Sequence, residues 1–474
     1  MPSTPIKLLM GIYFYPRGGS AHVCRALARE FERNEIEVTV LSGSRSDLGE
    51  HALAESFYAG LDLRAVDFTP ALCSDDSLRF DGPPGTAPMH ASYEDRPAAE
   101  DPVMASLGDE VFELQVEAWA RELALAGAAE ADLLYLHHLT PLSEAAARAF
   151  PAIPVLGHVH GTELLMLERI AAGSPPSWTH AEAWAERIRE WAGRCERIVV
   201  SSAEGGRRAA AALDLDPGRF VCVPNGFDPS FRPRQVDRRA HWRRHLVERP
   251  QGWRPGAAPG SVAYAEDDLA ALEGTVLLYT GRFTEVKRLP LLLEAYAAAR
   301  PRFRGRTALV LLGGYPGEWE GEHPAETIER LGLGDVFLAG WHSHADLPDF
   351  LNAADLLVHA SVKEQFGQVL VEAMACQLPV VAVDRDGPAA IVDDPETGWL
   401  VPPDDAGAFA AAIVEAVNDP AARRRRGERA RAEVGGRYAW RQIGSNLAGL
   451  VAELSHDSAE TAAGSWPQGS KEIA

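Results

Sequence analysis

The feature that most constrains the fold is an alternation of short apolar strands with helical stretches, which recurs in both halves of the 474-residue chain. In the first half it predicts strands at 7–13, 37–41, 132–137, 154–159, 197–201 and 219–223, with a first helix at 21–33. In the second half it predicts strands at 275–280, 308–312, 336–339, 356–359 and 379–383. This alternation is typical of doubly wound α/β domains with parallel sheets. The chain is long enough for two such domains, each with its own core.

Two irregular stretches interrupt the alternation and set the expected domain organisation. Residues 69–107 are rich in Pro, Gly, Asp and Ser, and we interpret them as an insertion or mobile flap within a first domain of residues 1–231. Residues 232–273 are interpreted as a linker or insertion that precedes a second domain at 274–436. Residues 437–454 are expected to form a C-terminal helix that returns to the first domain, and 455–474 a disordered polar tail.

A first chemical motif follows the strand at 275–280 and reads Gly281-Arg282-Phe283-Thr284-Glu285-Val286-Lys287. A parallel strand that ends in glycine and then presents Arg and Lys places two cations at the carboxyl edge of the sheet, where α/β folds bind ligands. Arg offers phosphate a bidentate fork and Lys a mobile point charge. Either residue alone could be an ordinary surface cation.

A second motif reads Glu364-Gln365-Phe366-Gly367-Gln368-Val369-Leu370-Val371-Glu372, with seven residues between its glutamates. Gly367 is expected to precede a helix that carries Glu372. The N-terminus of that helix offers free backbone N–H groups and the positive end of a dipole, which suits a phosphate. A carboxylate at each end of this cradle can bond hydroxyls on the two sugars that flank a diphosphate.

In this order the two motifs, G-R-x-x-x-x-K and E-x7-E, resemble the signature of the GT4 family of retaining glycosyltransferases. Further matching segments are 223–228 (V-P-N-G-F-D), 313–314, 340–341 and 397–401. Two departures are visible: Arg288 stands where the family usually has glycine, and 384–392 lacks the glutamate of the family's G-G-x-x-E loop. The resemblance covers residues 7–454 in architecture and is specific mainly from 281 to 401. It implies the GT-B fold, α/β with two Rossmann-like domains and an interdomain cleft.

The resemblance also implies roles for residues of the second half. Arg282 and Lys287 would hold the donor diphosphate, and Glu364 would orient hydroxyls of the donor sugar. Glu372 would bind the ribose diol. Backbone groups complete the expected donor site, and they belong to Gly281, Gly340 (where the base is usually held), Phe366, Gly367, Gln368 and Val369.

In the first half, the resemblance implies that Gly18-Gly19 after the first strand faces the diphosphate and acceptor, although an ordinary βα turn explains the pair equally well. The resemblance makes His160 the cleft histidine that touches the donor sugar; a buried, hydrogen-bonded histidine is the alternative. His137 and His138 would line the acceptor side or be structural.

No metal ligands or cofactors are expected beyond the donor substrate itself. His158 and His160 share one face and could bind a metal, but the sequence shows no third ligand with zinc spacing nearby. The chain has neither G-x-G-x-x-G after its first strand nor a Walker A loop, so NAD or ATP binding is not indicated.

The composition argues against several other classes of protein. A net charge of −22 argues against a nucleic-acid binder, which needs Lys and Arg to neutralise phosphates. The five scattered cysteines indicate free thiols rather than a disulfide framework, and the absence of a signal-peptide pattern or long apolar run favours a cytoplasmic protein. The basic run at 423–426 is interpreted as a solvated helix face in preference to contact with an anionic membrane surface.

The predicted function is sugar transfer from a nucleoside diphosphate sugar, UDP-glucose-like by default, to a small-molecule or glycan acceptor. The resemblance implies retention of anomeric configuration without a bound metal. The alternatives are a GDP-sugar-dependent transferase of natural-product biosynthesis, a nucleotide-sugar epimerase or phosphorylase on the same fold, and a non-catalytic nucleotide-sugar-binding protein.

Overall fold

The computed structural model describes residues 5–96 and 99–463, with side chains described to residue 456. The chain divides into two compact units. Of the described residues, the first unit contains 5–96, 99–223 and 440–463, and the second contains 224–439. The breaks therefore fall after Val223 and Ala439, where the sequence pattern suggested 231 and 436.

The first unit is built on a seven-stranded sheet in the order β3-β2-β1-β4-β5-β6-β7, in which every strand pair is parallel. Its strands are β1 (Lys7–Ile12), β2 (Glu37–Ser44), β3 (Asp62–Asp67), β4 (Leu133–His137), β5 (Val155–His158), β6 (Arg197–Val200) and β7 (Phe220–Cys222). Its first helices are α1 (Gly19–Arg33), α2 (Ala54–Phe57), α3 (Thr69–Leu72), α4 (Asp109–Leu125), α5 (Pro141–Ala149), α6 (Thr162–Ala171), α7 (Ala181–Arg194) and α8 (Ala203–Leu213). All six strands predicted for this half are confirmed, and β3 is an additional edge strand.

Residues 69–96 and 99–107 pack against the first unit, which fits the interpretation as an insertion and not as a mobile flap. Met89 and Tyr93 are buried in the core of the first unit. The Gln115 amide on α4 donates to the Met89 carbonyl at 2.7 Å, and the Tyr93 hydroxyl donates to the Leu139 carbonyl. The apolar residues of the segment are spaced among Pro, Gly and Asp residues, so the composition concealed them.

The second unit is built on a six-stranded parallel sheet in the order β10-β9-β8-β11-β12-β13. Its strands are β8 (Thr275–Gly281), β9 (Thr307–Gly313), β10 (Val336–Gly340), β11 (Leu356–His359), β12 (Val380–Val383) and β13 (Gly398–Val401). Its helices are α9 (Arg238–Arg243), α10 (Leu289–Ala299), α11 (Pro324–Leu331), α12 (Leu347–Ala353), α13 (Gln368–Ala375), α14 (Asp386–Ile391), α15 (Ala406–Asn418) and α16 (Pro420–Arg437). The strand order reverses between β8 and β11, and ligands of doubly wound sheets bind outside the carboxyl ends of strands at such a point.

Residues 232–273 are part of the second unit and not a linker. Trp242 and Leu246 are buried in its core, as are Leu269 and Leu272 near the end of the segment. Arg238 pairs with Asp355 at 2.8 Å, which ties the start of the segment to the loop before β11. The Arg- and Pro-rich composition gave no sign of these spaced apolar anchors.

The last helix, α17 (Trp440–Ala463), belongs to the first unit and packs on α1. Gly444 allows the close approach, since a Cβ atom there would lie 2.2 Å from the Glu30 Cβ. The helix continues past residue 454, where a disordered tail was expected, and the Ser455 hydroxyl bonds to the Val451 carbonyl at 2.8 Å. Residues 464–474 of that expected tail lie outside the described residues. Within the described part of the chain, no helix is both long and apolar enough to cross a membrane.

Candidate functional site

The carboxyl ends of β8 and β9 are pressed together by glycines. Gly281 has φ +152° and ends β8, while Gly313 has φ +118° and ends β9. A Cβ atom at Gly313 would lie 2.2 Å from the Gly281 carbonyl oxygen. That oxygen accepts a bond from the Gly314 amide at 3.1 Å. Only glycine fits this contact, which fixes the direction in which the chain leaves β8 towards Arg282 and Lys287.

Lys287 meets Glu364 although 77 positions separate them along the chain. The Lys287 ammonium forms an ion pair with Glu364 Oε2, and the two side chains are only 17% and 20% exposed. The loops that carry them are joined through the Val286 carbonyl, which accepts bonds from the Val362 amide at 3.0 Å and the Ser361 hydroxyl at 3.3 Å. The loops after β8 and β11 thus meet where the strand order reverses. We call Lys287, Glu364 and His359 the Lys287 cluster.

Arg282 lies beside this cluster. The Tyr279 hydroxyl on β8 donates to the Arg282 carbonyl at 2.7 Å. Burial raises the pKa of Tyr279, and the nearby Glu364 carboxylate adds to this effect while the Arg282 cation opposes it. Arg288, at the unusual position after Lys287, has φ +52°. The turn therefore keeps a left-handed conformation of the kind that glycine adopts without strain.

Electrostatics keep Glu364 ionised. Burial would raise its pKa, but the Lys287 charge and the hydrogen bond from His359 Nε2, at 3.3 Å, together hold the pKa well below its usual range. His359, at the end of β11, is itself buried, and burial lowers its pKa. An ionised carboxylate only accepts hydrogen bonds, so Glu364 is suited to bind hydroxyl groups.

The loop from Glu364 into α13 is held firmly. The Gly387 amide donates to the Glu364 carbonyl at 2.9 Å, and a Cβ atom at Gly387 would lie 2.1 Å from the Phe366 carbonyl oxygen. The Phe366 ring packs edge-on against Tyr438 at 5.6 Å. Gly367 has φ +97° and precedes the first turn of α13, whose amides at Gln368 and Val369 lack intrahelical acceptors as in any helix.

Glu372 has a different set of partners. Its Oε1 is 2.8 Å from His344 Nε2 and accepts a bond from the Gln368 amide at 3.1 Å, and its side chain is buried. Gln368 also donates to the Gly226 carbonyl at 2.7 Å, which connects α13 to the turn at residues 225–226. The two glutamates of the motif therefore belong to separate polar clusters.

The backbone conformation and packing at position 340 require glycine. Gly340 has φ +75°, and a Cβ atom there would lie 2.0 Å from the Gln251 carbonyl oxygen. The next residue, Trp341, is half-buried and meets the Tyr315 ring edge-on at 5.7 Å. The proposed place for the nucleotide base therefore has aromatic side chains nearby, while the glycine itself is required by the close approach of the backbone.

In the first unit, Gly18 and Gly19 form the exposed N-terminus of α1. Gly18 has φ −135°, an extended conformation open to any residue, and a Cβ atom at either glycine would meet nothing within 4 Å. Neither packing nor backbone strain requires glycine here. The pair leaves the first turn of α1 open, and its facing the diphosphate stays a prediction.

His160 belongs to a group of four imidazoles at the carboxyl ends of β4 and β5. Its ring stacks on His158 with centroids 4.1 Å apart, and its Nε2 lies 3.0 Å from His137 Nδ1. His138 completes the group, with its Nδ1 2.7 Å from Glu163 Oε1. Sequence spacing paired only His158 with His160; the parallel register of β4 and β5, which places His137 opposite His158, adds the others.

Burial keeps most of these imidazoles neutral. It lowers the pKa of His158 to about 3, and it lowers the pKa of His137 and His160 well below the usual range, helped by the neighbouring rings. Burial would raise the pKa of Glu163, but His138 and nearby backbone amides hold it below its usual value. The Tyr135 hydroxyl lies 2.8 Å from His158 Nδ1 and fixes that ring.

These histidines are also the residues that could hold a metal. Ligand nitrogens of His137, His158 and His160 all lie within 4.8 Å of one another. The structure thus supplies the third imidazole that the sequence spacing lacked. However, the His160 ring is nearly parallel to both others, at 15° and 17°, whereas a metal lies close to the plane of each imidazole that binds it. The rings would have to rotate, so the arrangement fits stacking better than coordination.

Sequence reasoning missed two contributors to the second unit, His359 and His344. His359 is the last residue of a predicted strand, and a polar residue at a parallel strand's carboxyl end is the signal that could have found it. His344 lies in the loop after β10, and nothing in its sequence surroundings links it to Glu372.

Comparisons with known proteins match both halves of the chain to glycosyltransferase families. Residues 17–231 match the family model described as Glycosyltransferase Family 4, and residues 265–433 match the one described as Glycosyl transferases group 1. A D-inositol 3-phosphate glycosyltransferase of Kineococcus radiotolerans is 30% identical over 294 residues, which are 59% of this chain and 61% of the relative. An alpha-D-kanosaminyltransferase of Streptomyces kanamyceticus is 32% identical over 185 residues, 38% of this chain and 46% of the relative. The match thus spans about three fifths of the first relative and less than half of the second.

Solved structures resemble the chain over nearly its whole length. Anabaena HepE in complex with UDP and glucose has a TM-score of 0.65 and 18% identity, and the likeness covers 94% of this chain and 100% of that one. Sucrose-phosphate synthase from Thermosynechococcus elongatus has a TM-score of 0.65 and 20% identity over 95% and 100% of the two chains. At such identities the likeness establishes the fold alone.

Proposed function

Because the chain belongs to the GT4 family and has the GT-B fold, we propose that it transfers a sugar from a nucleoside diphosphate sugar to an acceptor hydroxyl or other nucleophile. The observation that carries the proposal is the Lys287 cluster beside Arg282. The cluster and Arg282 together bring two cations and an ionised carboxylate to the point where the strand order of the second sheet reverses. That is the place and the charge pattern expected for a diphosphate with a sugar attached.

Breaking the anomeric C–O bond builds negative charge on the diphosphate leaving group. Arg282 and Lys287 would neutralise this charge, together with the backbone N–H groups at the start of α13. Fixed donors of this kind act most strongly on charge that develops in the transition state. Glu364 would accept hydrogen bonds from sugar hydroxyls, and Glu372 from the ribose diol.

We propose retention of anomeric configuration without a metal ion, as the family resemblance implies, and therefore name no nucleophile. UDP-glucose is the first donor to test, because a structural relative was solved with UDP-glucose; GDP-sugars are the alternative. A cytoplasmic location belongs to the same proposal.

For the acceptor we propose a small polyhydroxylated ring compound bound by the first unit. The name of the inositol phosphate relative supports this class. In the first unit, the buried polar groups at the carboxyl ends of β4 and β5 are the candidates to contact it. The family resemblance implies that His160 touches the donor sugar. His137 and His138 are the side chains that a test should address first.

Acceptor-dependent release of nucleotide from purified protein tests the proposal. UDP- and GDP-sugars are incubated with cyclitols and other polyols, and free nucleotide is measured with and without acceptor. A transferase releases nucleotide faster when its acceptor is present. An epimerase would release nucleotide without any acceptor, and a binding protein would bind the nucleotide sugar and release nothing.

A further inference from the structure

The amide of Gln365 is an unexplained polar group in the middle of the E-x7-E motif. Both its oxygen and its nitrogen are shielded from solvent and have no hydrogen-bond partner. Among the described residues, no other side chain has two such atoms. The Gln368 oxygen, three positions further on, is also shielded and unpartnered, although the Gln368 nitrogen is bonded.

Such a group is costly for a folded protein to keep. A buried polar atom that has lost its water without gaining a partner destabilises the structure, and native proteins rarely retain one without a reason. The amide oxygen has two lone pairs and the amide nitrogen two donor hydrogens, so the Gln365 side chain leaves four possible hydrogen bonds unmade.

The backbone on both sides of Gln365 is held in place, which limits where its side-chain amide can lie. On one side of Gln365, the Glu364 carbonyl is bonded to the Gly387 amide at 2.9 Å, and the Glu364 carboxylate is paired with Lys287. On the other side, Phe366 is buried in the core of the second unit. The backbone is therefore fixed at both neighbours of Gln365. Its side-chain amide keeps its place and can bond a ligand that binds there.

We propose that the Gln365 side chain binds the sugar of the donor and helps to select it, an inference that rests on the proposed function. A hydroxyl group both donates and accepts, so two hydroxyls on adjacent ring carbons can satisfy the amide oxygen and nitrogen together. Glu364, an ionised carboxylate, can only accept bonds. The two side chains are thus complementary, and a donor sugar with a full set of hydroxyls satisfies both.

The test distinguishes binding of the donor sugar from binding of the nucleotide. Gln365→Met keeps the length of the side chain and removes the amide. We expect the Kd for UDP-glucose, measured by calorimetry, to rise about ten- to hundredfold, as for the loss of a bond to a buried polar group, while the Kd for UDP stays unchanged. The unfolding midpoint of ligand-free Gln365→Met should not fall, because the substitution removes unsatisfied atoms. Gln442→Met, at an exposed glutamine of α17, is the matched control and should change neither constant.

Deoxy analogues identify the hydroxyls concerned. Wild type should bind UDP-glucose analogues that lack one of the selected hydroxyls more weakly, whereas Gln365→Met should not discriminate against them. The inference would be overturned if Gln365→Met bound UDP and UDP-glucose equally more weakly than wild type, or if neither Kd changed. It would also be overturned if the unfolding midpoints of ligand-free Gln365→Met and Gln365→Leu were both lower than that of wild type. If wild type bound no nucleotide and no nucleotide sugar, UDP and GDP series included, the proposed function itself would fail, and this assignment with it.

Discussion

The ion pair of the Lys287 cluster allows stability and catalysis to be separated by substitution. Lys287→Met removes the ammonium and leaves Glu364, 20% exposed, with His359 Nε2 at 3.3 Å as its remaining side-chain partner. A fully buried charge that loses its partner destabilises a protein by about 3–5 kcal/mol. The residual exposure of Glu364 and the chance for His359 to take up a proton reduce this, so we expect a loss of about 2 kcal/mol in the free energy of unfolding at pH 7.

Turnover should fall much further than stability alone would explain. Losing a charge that stabilises the leaving group should slow transfer by about two to four orders of magnitude, by analogy with lost oxyanion donors. Adding Glu364→Gln removes the stranded carboxylate, so the double variant should regain most of the lost stability without regaining activity. Urea denaturation and acceptor-dependent nucleotide release measure the two effects.

Arg288→Met is the matched control for this prediction. Arg288 follows Lys287 directly and pairs with Asp404 at 2.9 Å, but both side chains are largely exposed. Its substitution should leave turnover and stability close to wild type. Near-normal turnover of Lys287→Met would refute the diphosphate assignment, and unchanged stability would refute the effective burial of the pair.

Four further predictions concern the first unit, metal dependence and Arg282. The pKa of His158 is about 3 in the folded chain and about 6.5 when unfolded, so its contribution to stability is complete above pH 6.5 and is lost as the pH falls. Between pH 7 and pH 5 the stability of wild type relative to His158→Phe should drop by about 2 kcal/mol in urea titrations, and a constant difference would show that the ring is not kept neutral. Deleting residues 69–107 should lower the unfolding midpoint of the first unit as well as alter the acceptor Michaelis constant, since the segment supplies buried core residues; a stable deletion variant with wild-type acceptor kinetics would end its proposed role. Transfer should persist in excess EDTA, and loss of activity restored by Mg²⁺ or Mn²⁺ would contradict the metal-free proposal. Arg282→Ala should slow turnover by about two to four orders of magnitude, and near-normal rates would remove it from the donor site.

The sequence predicted the parts of the fold that depend on local periodicity. Every strand expected from the alternation is present, because a parallel strand buried on both faces must be a short apolar run. The errors lie where long-range contacts decide the outcome. Met89 is buried in the first core, where Gln115 of α4 bonds its carbonyl, and Trp242 is buried in the second core. Neither contact leaves a trace in the residues next to it.

The candidate site shows the same division. The motif order predicted that Arg282, Lys287 and Glu364 belong to one site, and the structure places Lys287 and Glu364 in direct contact. The motif order could not predict that Glu364 and Glu372 would have separate partners, since His359 ends β11 and His344 lies in the loop after β10. Likewise, the motif order predicted Gly340 to be part of the nucleotide-base site. The close contact with the Gln251 backbone is enough to explain why glycine stands there.

The Lys287–Glu364 pair bears directly on how a donor could enter this site. In the ligand-free chain the ammonium already has a carboxylate partner, which would suggest that a diphosphate must compete for it. A lysine ammonium has three donor hydrogens, however, and it can bond a carboxylate and a phosphate oxygen at once. A bound diphosphate therefore need not displace Glu364, which would stay ionised beside the cation and keep accepting bonds from the sugar. The pair then fixes the position of the carboxylate before the donor arrives, and less ordering remains to be done when it binds.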